Sequence, residues 1–190
     1  YDNNPTYDRS VQAAYPPGSP FKLLTALAGY QMKVISDSTK FTCRHGYRMG
    51  RHTIGCHCGT FWPIGMEKAI EKSCNNYFSS VYYKITEKYG PKGRNRAIDE
   101  WKEIMNSFGL GEFMNNDLAV GAKGKIPSGE FYTKRLGEKW HPYESAIFNG
   151  MGQGDVLLTP LQMANFTAAI VNRGWYFTPH IVKSIDGKPN

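Results

Sequence analysis

The chain has 190 residues, 23 Lys and Arg against 16 Asp and Glu, a formal charge of +7, four cysteines and 41% hydrophobic residues. That is enough apolar material for one domain, or a large piece of one, to bury a core, and 14% aromatic with 21% charged residues excludes intrinsic disorder. Four cysteines are too sparse for a disulfide-built miniprotein, no apolar run approaches the ~20 residues of a membrane span, and Tyr1-Asp2-Asn3-Asn4-Pro5 has no targeting character.

Residues 1–18 hold three prolines and little apolar period, and read as an extended lead-in. Ser19 then offers an N-cap and Pro20 a first helical position, with apolar residues at 21, 24, 27 and 28, which predicts a helix over 20–33. Residues 36–63, rich in Gly, Thr, Arg, His and Cys, have no helical period. They form a long loop that something must tie down. Helical patterning returns over 64–73 and continues through Tyr77, Val81 and Ile85 to Gly90, with a break near Asn75. A further helix is predicted over 94–108, stopped by Gly109, and residues 109–158 show little regularity. Thr159-Pro160-Leu161-Gln162 is a capping box that opens a helix running to Asn172. Residues 175–185 read as a strand, with Pro179 marking an edge or a bulge. The expected class is α+β and mostly helical.

Ser19 and Lys22 stand one helical turn apart, the spacing of a nucleophile and its base. A lysine amine can take a serine proton when burial or a neighbouring cation lowers its pKa, and a helix N-terminus favours a developing oxyanion. On this motif alone a capping serine followed by a solvated lysine is the ordinary reading. The neighbouring blocks change that balance. Tyr15-Pro16-Pro17-Gly18-Ser19-Pro20-Phe21-Lys22 resembles the Tyr-Pro-Pro-Gly-Ser-Thr-x-Lys active-site segment of the class B penicillin-binding proteins. Ser73-Cys74-Asn75 resembles their second motif, Ser-x-Asn. Gly152-Gln153-Gly154, followed by Thr159-Pro160-Leu161-Gln162-Met163, resembles the Gly-x-Gly-Gln-Gly and Thr-Pro-x-Gln-Met segment of the same enzymes, most like their elongation-specific, penicillin-binding protein 2 branch.

The resemblance implies a single partial transpeptidase domain over 1–190, of the serine β-lactamase-like fold with much of its antiparallel sheet missing. The cysteine-rich loop 36–63 would be inserted between the first two motifs. Pro20 stands where Thr or Val is usual, and no Lys-Thr-Gly or Lys-Ser-Gly occurs in the sequence; Gly187-Lys188-Pro189 is not it. By resemblance that third motif lies beyond Asn190, so the chain reads as a fragment that acylates poorly by itself. The implied activity is D,D-transpeptidation. Ser19 would be the nucleophile and Lys22 the base. Ser73 would relay a proton, Asn75 would hold Lys22 and the substrate amide, and Gly152, Gln153 and Gly154 would bind substrate. Implied partners are the peptidoglycan stem peptide, β-lactams, an elongation glycosyltransferase and its scaffold, with no nucleic acid. The parent would be membrane-anchored, working on the periplasmic face of the inner membrane. His141, Pro142 and Tyr143 are candidates to border the substrate groove.

Cys43, Cys56, Cys58 and Cys74 are spaced C-x12-C-x-C-x15-C, and four such thiolates can close a tetrahedral Zn2+ site that orders the loop. Disulfides are the alternative, since an even count permits two bridges, but a Cys56–Cys58 bridge would be strained. Free thiols remain a third reading. Relatives of the resembled branch carry a metal whose ligands include the middle residue of the second motif, here Cys74. That implies Cys43 and Cys56 as loop ligands and either Cys58 or His57 as the fourth. Two other functional classes compete. A serine β-lactamase or penicillin sensor shares the Ser-x-x-Lys and Ser-x-Asn motifs but lacks the long Thr-Pro-Leu-Gln-Met segment. A basic zinc module for nucleic acid suits the charge and the Arg44, Arg48 and Arg51 run, yet the cysteine spacing fits no finger pattern.

Overall fold

A computed structural model describes residues 6–59, 62–114, 116–144 and 146–189. In chain order the elements are α1 (Arg9–Gln12), a 3-10 turn Ser19–Phe21, α2 (Lys22–Gln31), β1 (Phe41–Thr42), β2 (Gly46–Met49), β3 (His52–Gly55), β4 (Pro63–Ile64), α3 (Met66–Glu71), α4 (Asn75–Thr86), α5 (Arg94–Ser107), α6 (Gly129–Leu136), α7 (Pro160–Val171), β5 (Ser184–Ile185) and β6 (Lys188–Pro189). Short 3-10 turns fall at Pro91–Gly93, Pro142–Glu144 and Ala146–Met151. The three sheets are antiparallel pairs of two strands each, β1 with β4, β2 with β3 and β5 with β6. Helix dominates, as the periodicity predicts.

The chain divides into two compact units. The larger comprises Pro16–Ile104 and Pro127–Val156. Its core packs α2 against α4, with Trp101 of α5 set against Phe21 and Tyr82: Phe21, Leu24, Tyr77, Phe78, Tyr82 and Trp101 are all fully buried. The Trp101 indole receives Phe21 and Tyr82 edge-on, with ring centroids at 6.3 and 5.2 Å, the T-shaped contact that aromatic quadrupoles favour. The smaller unit comprises the described parts of Tyr1–Tyr15, Met105–Ile126 and Leu157–Asn190. Here α7 carries the expected capping box, with Thr159 Oγ1 accepting from Gln162 N–H (3.2 Å) and Gln162 Oε1 accepting from Thr159 N–H (3.1 Å). The Gln162 amide also donates to the carbonyls of Gly109, Glu112 and Lys123, fixing an irregular segment that has no ladder of its own.

Four expectations change. The lead-in contains α1, capped by the Asp8 carboxylate accepting from Ser10 N–H at 2.8 Å. The loop 36–63 holds four short strands, so it supplies some of its own hydrogen bonding. Within 109–158 lies α6, capped by Ser128 and ended at Gly137; with only eight residues it shows too little period to read. The strand expected over 175–185 is confined to Ser184–Ile185. Trp175, Phe177 and Ile181 alternate suitably but find no partner strand among the described residues, and they remain 53%, 76% and 75% exposed. A strand needs a paired edge, and sequence alternation cannot supply one.

Candidate active site

In the larger unit, Gly18 has φ +67° and ψ −155°, a backbone region that only glycine enters readily. The chain therefore turns sharply into Ser19–Phe21, and Gly18, not Ser19, is the N-cap of that turn. Freed from capping, the exposed Ser19 hydroxyl instead accepts a hydrogen bond from Ser73 Oγ at 3.2 Å. Pro20 fits the first turn because its missing N–H would have had no helical partner.

Lys22 opens α2 and is 4% exposed. Its Nζ donates to Ser73 Oγ (2.8 Å), Ser73 O (2.8 Å) and Asn75 Oδ1 (2.7 Å), beneath the Phe78 ring. Burial holds its pKa below the ordinary lysine value, opposed by negative charge on Cys56, Cys74 and Cys58. Ser73 reaches this cluster because α3 ends in a Schellman motif. Ser73 N–H bonds Ile70 O at 3.0 Å, and Cys74 N–H bonds Ala69 O at 2.9 Å. Ser73 occupies the left-handed position at φ +47°, where glycine is usual. A serine there costs roughly 1 kcal/mol, an expense consistent with a need for its hydroxyl. Asn75 begins α4; its Nδ2 donates to Gly55 O at 2.9 Å, and because a carbonyl only accepts, Oδ1 must face Lys22. Ser19, Lys22 and Ser73 border a cleft of about 280 Å³ whose other wall is apolar, formed by Leu23, Ile70 and Phe78.

The Gly152-Gln153-Gly154 segment makes its described contacts with the turn that carries Ser19. Gly152 is buried at φ +69°, its carbonyl accepts from Gly18 N–H at 2.7 Å, and a Cβ there would overlap Gly18 O. It braces the Ser19 turn from behind. Gln153 and Gly154 are exposed and do not line the cleft. His141 and Tyr143 join a ring cluster: Tyr143 stacks on Tyr83 of α4 at 5.3 Å and meets Tyr47 of β2 edge-on at 6.1 Å.

Cys43, Cys56, Cys58 and Cys74 are all buried, with their four sulfurs within 4.8 Å of one another. The Sγ separations are 3.3 Å for Cys56–Cys58, 3.6 Å for Cys56–Cys74 and 3.1 Å for Cys74–Cys58, too long for disulfide bonds of about 2.05 Å. A tetrahedron of ~2.3 Å metal–sulfur bonds places its ligands about 3.8 Å apart, so a small adjustment of this cluster accommodates Zn2+. Burial pushes the Cys43 thiol up to about 12 and Cys74 further still. His57 is exposed and lies outside the cluster, whereas Cys58 lies within it. Sequence reading misses one further group: the fully buried Asn149, Tyr82 and Tyr132, which form a polar network with the partly buried Asp155 and come from separate segments of the chain.

An exposed serine in a hydrogen-bonded row with a second serine, a buried lysine and an asparagine, at the starts of two helices, has the layout of a serine acyl-transfer site. Residues 1–189 match the penicillin binding protein transpeptidase domain, and the chain belongs to that family. It is 31% identical over 192 residues to the peptidoglycan D,D-transpeptidase MrdA of Acinetobacter baumannii, an alignment that takes in 97% of the chain and 26% of that protein. MrdA of Escherichia coli K12 is 28% identical over 191 residues, covering 98% of the chain and 28% of the relative. The chain thus spans roughly a quarter of the length of these curated relatives. Among solved structures, Pseudomonas aeruginosa PBP2 in complex with WCK 5153 superposes with a TM-score of 0.81 at 30% identity, covering 97% of this chain and 40% of that one. PBP2 of Helicobacter pylori, in its complex with MreC, gives 0.79 at 26% identity, covering 100% and 33%. The mostly helical α+β arrangement is therefore part of the transpeptidase fold.

Proposed function

We propose that the parent of this chain is a peptidoglycan D,D-transpeptidase that cross-links the cell wall during elongation through an acyl-serine intermediate. The observation that carries this reading is the row Ser19 Oγ–Ser73 Oγ–Lys22 Nζ–Asn75 Oδ1, with successive separations of 3.2, 2.8 and 2.7 Å. Lys22 in its neutral form takes the Ser19 proton as Oγ attacks the penultimate D-Ala carbonyl of a stem peptide. The oxyanion receives the Ser19 N–H and a second donor from the strand that bears the third motif. Ser73 passes the proton to the departing D-Ala amine, leaving an acyl ester on Ser19, which an acceptor amine then attacks to form the cross-link and restore the hydroxyl. A β-lactam would acylate the same oxygen. Labelling of the full-length protein with a fluorescent penicillin, with peptide mapping to Ser19, tests this; a label that persists in Ser19→Ala sinks it.

Cys43, Cys56, Cys58 and Cys74 are proposed to hold a structural Zn2+. The buried, unbridged thiols and their mutual distances support that ligand set. Four protein ligands leave no open position, so the metal would supply only a cross-link that holds Cys74, and with it Ser73 and Asn75, against the loop. Metal analysis with thiol titration decides this, and absent zinc in freshly purified protein counts against it.

Partners and location are proposed at the same level. The H. pylori PBP2–MreC complex, and a peptidoglycan synthase complex at 28% identity and TM-score 0.81 described as coordinating polymerization and crosslinking, support a scaffold and a glycosyltransferase as partners. No helix among the described residues is long and apolar enough to cross a membrane, so the proposed inner-membrane anchor belongs to another part of the parent, with catalysis on the periplasmic face.

A further inference from the structure

We propose that Asn149 is a positioning residue for Ser19, acting through the glycine loop 150–154; the inference rests on the acyl-serine reading of Ser19. Asn149 is fully buried. Its Oδ1 accepts from Asp155 N–H at 3.0 Å, and since that backbone group can only donate, Nδ2 is the atom that faces the two tyrosines. Nδ2 donates to Tyr132 OH at 2.6 Å and Tyr82 OH at 3.1 Å. Asp155 is held in turn by Tyr132 OH at 3.2 Å and by Arg135 at 2.5 Å. One amide therefore ties the residue before the glycine loop to the residue after it, and anchors both to α4 and α6.

The loop has no slack through which a movement could dissipate. On one side a Cβ at Gly150 would meet Tyr82 Cβ at 2.6 Å and Phe78 O at 2.8 Å, both on α4. On the other side a Cβ at Gly152 would meet Phe21 Cβ at 2.5 Å and Gly18 N at 2.9 Å. Two hydrogen bonds then carry the loop's position to the nucleophile: Thr25 Oγ1 donates to Gly150 O at 3.0 Å, and Gly18 N–H donates to Gly152 O at 2.7 Å. Gly18 is covalently joined to Ser19. A close-packed wedge between α4 and the Ser19 turn converts a shift at Asn149 into a shift of the reacting hydroxyl. Asn149 touches no reacting atom, so its effect should fall on the chemical step and spare substrate capture.

The test uses the full-length protein and two variants: Asn149→Leu, which keeps the approximate volume, and the milder pair Tyr82→Phe with Tyr132→Phe, which keeps both rings. Rapid-mixing acylation by a fluorescent penicillin separates the noncovalent dissociation constant from the acylation rate constant. Displacements of about an ångström cost up to ~100-fold, so the rate constant should fall roughly 10- to 100-fold while the dissociation constant stays within about twofold. Amide hydrogen exchange at Gly18 should quicken by at least about tenfold, with exchange in α5 unchanged. A merely structural role would speed exchange in α5 as much as at Gly18 and weaken binding together with rate. That pattern, or unchanged Gly18 exchange, overturns the inference. Faster Gly18 exchange in a protein whose wild type never labels at Ser19 would sink the acyl-serine reading and leave the coupling standing.

Discussion

The nitrogen-and-oxygen cluster around Lys22 and the sulfur cluster around Cys58 meet at residues 73–75, yet they are held by different means. Lys22 sits on α2, whose Leu24 and Ala28 are fully buried, and faces α4, whose Tyr77, Phe78 and Val81 are buried as completely. Helix-on-helix packing of this kind is self-supporting. The loop 36–63 offers two antiparallel pairs of two to four residues, and among its described residues the buried apolar side chains apart from cysteine are Tyr47, Met49 and Ile54. Isolated two-stranded pairs are marginal in water. The Lys22 region thus keeps its shape by burying apolar surface, whereas the loop, on the proposal above, depends on a metal cross-link at its sulfurs. The Asn75 Nδ2–Gly55 O bond joins the two, so order in the loop becomes order in the second motif.

Removing the proposed nucleophile separates chemistry from support most sharply. Ser19→Ala is expected to abolish penicillin labelling, while an exposed serine lost from the surface changes stability by no more than about 0.5 kcal/mol. A large fall in melting temperature would show that the Lys22 cluster is not self-supporting. Next comes Cys74→Ala, or removal of zinc by a chelator. Either should slow acylation by roughly 10- to 100-fold through displacement of Ser73 and Asn75, with amide exchange rising in the loop and unchanged in α5. Equal loss of protection in both regions would erase the contrast.

The pH profile tests the Lys22 side alone. Burial depresses its pKa, so the neutral amine needed to accept the Ser19 proton becomes available below the ordinary value of 10.5. Acylation should rise with pH and level off at a midpoint below 10.5. Stability follows the same sign: the unfolded chain binds the proton more tightly, so the cost of a buried ammonium is present at low pH and relieved as pH climbs towards 10.5. A rate that falls across that window would remove Lys22 from the role of base.

The contrast between the regions also explains what was legible beforehand. Ser19, Lys22, Ser73 and Asn75 could be found because each lies in a short block whose chemistry is local, and the Thr159–Gln162 box could be read because a cap involves four adjacent residues. The cysteines were visible as a set, but spacing could not show that the four sulfurs come together with the His57 imidazole outside them. A glycine motif does not reveal what presses on it, and at Gly152 that is Gly18 and Phe21. Asn149 was invisible, since its tyrosine partners lie 67 and 17 residues away and no spacing rule links them. Long-range polar pairing and strand pairing share this property: the partner decides, and the partner is elsewhere in the chain.

The smallest effect is expected where the loop leans on the helical core. Asn76 Nδ2 donates to Thr42 O at 3.1 Å, and Tyr77 OH donates to Thr39 O at 3.2 Å, so α4 holds the start of the loop by two side-chain bonds. Burial raises the Tyr77 hydroxyl to about 12, which keeps it a donor across the working range. Tyr77→Phe deletes that donor but retains the ring and its T-shaped contact with Phe41 at 5.0 Å. The lost bond is worth about 1 kcal/mol, and it acts on the loop in which zinc would bind. If binding requires an ordered loop, zinc affinity should fall about fivefold. The melting temperature of the metal-loaded protein should barely move, because the sulfur cross-link then holds what the hydroxyl held before. A large drop in melting temperature with unchanged zinc affinity would place the Tyr77 bond in the helical core's own stability, and the division between a packed half and a cross-linked half would have to be redrawn at α4.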